Sequence, residues 1–230
     1  RLAKTMRIRI GGELPKEATA KDLVLSLLAK ISARGALGAV VEYEGEAVDA
    51  LSIEGRMTLC NLTVEAGARG AIVAPDEKTI DWVLAHAPEL TGGEREAAVK
   101  FWRTLRADPD AHYDRTIDFD ASDVRTSATW GTSPDQTIAL DEPIPSPASF
   151  ADAVDRTAAE RALAYQGLEP GKKLADYPID FVFIGSCTNA RLPDLTAAAA
   201  LLKRAASRAA SAAWWYPDPC VFGEKLKRSA

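Results

Sequence analysis

The sequence predicts an α/β protein. Three observations carry that expectation: short runs alternate apolar and polar residues at period two, the stretches between them repeat apolar residues at helical spacing, and glycine- or proline-bearing turns separate the two. Thr5 to Ile10 alternate and predict a half-buried strand ending at Gly11-Gly12. Thr19 with Asp22 three residues on forms a capping pattern, and Leu23, Val24, Leu27, Leu28 and Ile31 make one helical face. A turn from Gly35 to Gly38 leads into a buried strand over 39–43. A second helix is expected over about 52–68, and Ala71 to Pro75 closes as a strand.

Residues 79–106 predict helix interrupted at Pro88 and at Gly92-Gly93, and Asp108-Pro109-Asp110 marks a break. The expected organisation is therefore a roughly complete α/β domain over 1–112, with the fuller core, and a second, incomplete α/β domain over 113–230. Pro134, Pro143, Pro145 and Pro147 make 133–149 an extended connector. A helix follows from Ser149 or Asp152 and stops at Gly167. Asp180 to Ile184 predicts a buried strand, then the turn Gly185-Ser186-Cys187-Thr188-Asn189, then a helix from about Asp194.

The chain has 230 residues, 47% hydrophobic and 27% charged, with a net charge of −5. An acidic balance argues against nucleic acid as a partner, because neutralising phosphates needs a basic surface. No apolar run is long enough to cross a bilayer, and the first residues lack a signal core, so no membrane partner and a cytoplasmic location are expected. Three cysteines, Cys60, Cys187 and Cys220, are too few and too scattered for a disulfide framework.

The Gly185–Asn189 turn concentrates the chemistry. A glycine-led turn after a strand places side chains at the carboxyl edge of a sheet, where α/β proteins bind ligands. It offers a thiol before a helix, where the helix dipole favours thiolate, beside three hydrogen-bonding side chains. On these residues alone the turn is a nucleophile, a cluster ligand or a capped turn. A catalytic thiol wants a histidine base. His86 and His112 lie in no such pattern.

Ile184-Gly185-Ser186-Cys187-Thr188-Asn189-Ala190-Arg191 resembles the aconitase-family segment carrying the first cysteine ligand of a [4Fe-4S] cluster. Trp130 to Gln136 resembles the isopropylmalate dehydratase branch of that family, as do Glu54 to Asn61, Glu65 to Arg69, and Val40 to Tyr43 with Gly45-Glu46-Ala47. The resemblance implies aconitase-type α/β/α layers, and hydro-lyase chemistry that moves a hydroxyl between neighbouring carbons of a small malate derivative. It implies Cys187 as cluster ligand, Glu65 as the catalytic carboxylate, and Asn61, Ser186 and Asn189 as substrate-binding. Asn61 and Glu65 are four apart and expected on one helical face. Cys60 matches no ligand and reads as a buried core thiol. The resemblance also implies a separate small subunit as partner.

The chain departs from that pattern in four ways. The family's segment before Arg1 and its later Cys-x-x-Cys pair are absent, so an incomplete, inactive large subunit holding no cluster alone is expected. The 32–38 turn carries Ser32, Arg34 and Leu37 where the family has smaller residues, with Arg34 expected to intrude. From about residue 204 the tail diverges. Reading the Trp214-Trp215 codons one nucleotide earlier forces Val-Val, as in the family's strand there, so a frameshift is expected. Two other expectations stand beside this one: a folded, non-catalytic remnant or interaction module without a cluster, and a homoaconitase-like hydro-lyase.

Overall fold

In the computed structural model, which describes residues 2–205 and 213–215, the chain divides into two compact units, Arg1–Leu174 and Ala175–Ala230. The first is built on a four-stranded, wholly parallel sheet. Its strands are β1 (Lys4–Gly11), β2 (Ala39–Glu44), β3 (Gly70–Val73) and β4 (Arg115–Asp120), in the order β3-β2-β1-β4. The α/β class is as the alternation predicted. The strand after the expected boundary at 112 joins the first sheet: β4 pairs with β1, Ile8 opposite Ile117. Ile117 and Phe119 alternate with polar residues, which is the signal of a half-buried strand.

α1 (Ala20–Ile31) starts where the capping pattern placed it. Thr19 and Asp22 satisfy each other's backbone N–H, and Asp22 also accepts from the Ser127 N–H at 2.9 Å. Its apolar face, Leu23, Val24, Leu27 and Leu28, shares one core with Met6, Ile8, Ile10, Val41, Tyr43 and Leu59. Burying each large side chain there stabilises the fold by about 2 kcal/mol. The opposite sheet face is polar, with Arg9 to Glu44 at 2.7 Å, and Tyr113 donating to Glu42 at 2.7 Å.

Between β2 and β3 the single helix expected over about 52–68 is two pieces, and a further short helix lies before them. A short α2 (Glu46–Ala50) precedes α3 (Ile53–Leu62), capped by Ser52, and a 3-10 turn spans Thr63–Ala66. Thr63 donates to the Leu59 carbonyl at 2.6 Å and shares a 2.7 Å hydrogen bond with buried Tyr43, while Gly67 ends the run at φ +80. α4 (Glu77–His86) and α5 (Gly92–Trp102) follow, split where Pro88 and Gly92 predicted.

The turn after α1 holds Ser32 at φ +68, the one non-glycine with positive φ among the described residues. That region favours glycine. Ser32→Gly is expected to stabilise the chain by about 1 kcal/mol, seen as a higher urea midpoint at unchanged slope. A lower midpoint would show that the serine is not strained. Arg34 does not intrude as expected: its side chain is 69% exposed and pairs with Asp155 at 3.5 Å, because the loop directs it outward.

β5 (Ser127–Thr129) and β6 (Thr137–Ala139) form a small antiparallel pair, and the proline-bearing connector is less extended than expected, with hydrogen-bonded turns at 133–136 and 139–142 and a 3-10 turn at Pro147–Ser149. α6 (Ala153–Gln166) is capped by Asp152 and stopped by Gly167 in the left-handed conformation. In the second unit β7 (Val182–Ile184) precedes α7 (Leu192–Ala205), and β8 (Ala213–Trp215) pairs parallel to β7, Phe183 opposite Trp214. β7 is not the buried strand expected. Phe181 and Phe183 are 58% and 60% exposed, since a two-stranded sheet covers neither of its own faces. The remainder of the tail, with Cys220, lies outside the described residues.

Candidate functional site

Asn61 and Glu65 are placed by the α3 segment. Asn61 sits in the last turn of α3 and Glu65 in the 3-10 turn, and both are exposed. The expected common α-helical face is altered here, because a 3-10 turn winds at about three residues per turn, which swings the fourth residue off the stripe. Three contacts fix this turn. The Tyr43–Thr63 bond holds it from beneath, and the N–H groups of Ala36 and Gly38 donate to the carbonyls of Ala66 and Gly67 at 2.9 and 3.0 Å. Burial pushes the Tyr43 hydroxyl well above its ordinary value, so Tyr43 acts as a neutral hydrogen-bonding strut.

Cys60, one residue before Asn61, is half-buried rather than a fully buried core thiol. Burial nonetheless pushes its thiol up to about 11, so it stays protonated at neutral pH. His86 is exposed, bonds the Trp82 carbonyl at 2.7 Å and stacks on the Trp82 ring, which accounts for it structurally.

In the second unit the predicted turn forms between β7 and α7. Gly185 takes φ +138, Ser186 accepts from the Asn189 N–H at 2.8 Å, and Asp194 accepts from the Arg191 N–H at 3.0 Å. Arg191 donates to the Thr188 carbonyl at 2.8 Å. These bonds leave the Cys187 thiol exposed, with the Thr188 hydroxyl 3.8 Å away. Ser186 is exposed as well, and Asn189 is half-buried. Asn61 and Glu65 thus belong to one unit, and Ser186, Cys187 and Asn189 to the other.

A cavity of about 1000 Å³ lies at the carboxyl ends of the first sheet's strands and does not include Asn61 or Glu65. Its carboxylates, Glu42, Glu44, Asp118 and Asp120 among them, outnumber its cations Arg7, Arg9, Lys30 and Arg106. Such a lining disfavours a di- or tricarboxylate. Sequence reasoning missed Tyr43 and Thr63 as parts of the support beneath Glu65. The hydroxyl of Tyr43 inside an apolar strand was the available signal, since a buried hydroxyl needs a partner.

The wholly parallel sheet of the first unit and its strand–helix alternation define an α/β protein. The sequence model of the aconitase family (aconitate hydratase) matches residues 1–225, and the chain belongs to that family. The family is one of hydro-lyases that generally carry a [4Fe-4S] cluster. Among the described residues no three His, Cys, Asp or Glu side chains gather as a metal-binding group, and Cys187 is the one thiol at its turn. The described residues therefore do not by themselves fit a cluster, which needs three thiolates when one iron stays open. No helix among them is long and apolar enough to cross a membrane.

Proposed function

We propose that this chain supplies large-subunit residues of a hydro-lyase resembling 3-isopropylmalate dehydratase, which interconverts 2- and 3-isopropylmalate in leucine biosynthesis by removing and returning water. The observation that supports it most is Glu65, an exposed carboxylate on a turn fixed by Tyr43, Ala36 and Gly38. Removing water from a hydroxy acid takes a proton from one carbon and a hydroxyl from its neighbour. A carboxylate open to substrate, on a backbone held in place, is suited to carry that proton. Asn61, Ser186 and Asn189 are the substrate-binding residues of this reading. Cys187 would be one cluster ligand, and further thiolates would come from outside the described residues. A separate small subunit and a cytoplasmic setting complete the proposal.

The test is the chain assembled with its small-subunit partner, assayed for interconversion of the two isopropylmalates. Glu65→Gln is expected to lower kcat about a hundredfold or more with little change in KM. Equal turnover by the variant would sink the role of Glu65. The lone thiol at the turn also favours a second reading, a folded interaction module without a cluster. Iron that fails to bind after anaerobic reconstitution of the assembly would select that reading.

A further inference from the structure

We infer that Asp135 is a positioning residue for Glu65, acting through the 32–38 loop. The inference rests on the reading of Glu65 given above.

The Trp130–Gln136 segment folds into a turn tied by its own groups. The Trp130 N–H donates to the Gln136 carbonyl at 2.9 Å, and the Gln136 side chain accepts from the Thr132 and Ser133 N–H groups at 2.7 and 3.1 Å. A Cβ at Gly131 would strike that side chain, which would have to move from the N–H groups it holds. This rigid turn aims Asp135 at the loop after α1, where its carboxylate accepts from the Ala33 N–H at 2.9 Å. Ala33 directly follows Ser32, whose backbone is held at positive φ. Strain of that kind persists only where surrounding contacts over-determine it.

The same loop then donates from Ala36 and Gly38 to the carbonyls of Ala66 and Gly67, the two residues after Glu65. Gly67 packs so closely that a Cβ there would lie 3.1 Å from the Leu37 side chain and 3.4 Å from the Ala33 carbonyl. A continuous run of hydrogen bonds and contacts thus leads from Asp135 through residues 33–38 to the backbone beneath Glu65. Losing the first bond lets Ser32 relax, and the loop's two donors shift away from the carbonyls they hold.

The experiment is amide hydrogen exchange on the full chain, paired with turnover of the assembly. Asp135→Ala is expected to accelerate exchange at Ala33, Ala36 and Gly38 at least tenfold, with β1 and α1 unchanged, and to lower kcat about tenfold at constant KM. Asp135→Asn keeps an acceptor oxygen and restores both. Unchanged protection at Ala36 and Gly38 overturns the positioning role, as does acceleration spread evenly over the chain. Lost protection with full turnover also overturns the positioning role, whereas equal turnover by Glu65→Gln overturns the reading of Glu65 itself.

Discussion

Replacing Arg56 by alanine is expected to cost about 3–5 kcal/mol, enough to threaten the fold of a typical domain. The side chain is 5% exposed and spends all its donors inside the protein. Its guanidinium grips Asp76 at 2.8 and 2.6 Å, and the remaining bonds reach the Val48 and Asp49 carbonyls and the Thr79 hydroxyl. One residue therefore ties α2, α3 and the start of α4, where Asp76 is also the N-cap. Truncation leaves Asp76 without its cation and takes one donor from each of the Val48 and Asp49 carbonyls, which keep the Leu51 N–H and Lys78. Lysine is not expected to rescue the site, because an ammonium cannot make the two-pronged contact. Urea unfolding is the check, and a loss below about 1 kcal/mol would refute the strut.

The same pair sets a pH dependence. Arg56 beside Asp76 holds its carboxyl well below the usual carboxylate range. A depressed folded-state value stabilises the fold fully above the unfolded value of about 4, and that stabilisation fades as pH falls through the folded one. Acid sensitivity is thus expected below about pH 4, and Arg56→Ala should flatten it.

Gly45→Ala is the second large effect. Gly45 sits at φ +114, ψ 168, a region essentially reserved for glycine, and a Cβ there would lie 2.4 Å from the Ile10 carbonyl oxygen. The obstacle is backbone of the central strand β1, which cannot swing aside as a side-chain tip could. Conformational strain and collision together are expected to exceed about 3 kcal/mol. A variant that melts within a few degrees of the parent would show that the β2–α2 corner can rearrange.

How much of this was legible follows from how local each interaction is. Thr19, Asp22 and the face of α1 lie within one stretch, and that helix appears where its residues predict it. Pro88, Gly92 and Gly167 punctuate helices for equally local reasons. The break of the 52–68 helix into α3 and a 3-10 turn depends on Tyr43, twenty residues earlier, and no pattern near Thr63 announces it. β4 was overlooked because its partner β1 lies over a hundred residues upstream, although Ile117 and Phe119 alternate visibly. At the site, the turn around Cys187 was readable from glycine chemistry and the strand before it. Asp135 was not, since its partner is a backbone N–H 102 residues away.

The loop from Ser32 to Gly38 communicates with its neighbours through amides and carbonyls, while Arg34 and Leu37 expose most of their side chains. A segment whose message is written in its backbone can respell its outward letters without altering what it says. Bulky residues such as Arg34 and Leu37 are tolerated there on this account. Only proline at 33, 36 or 38 would erase a word, by deleting the donor itself.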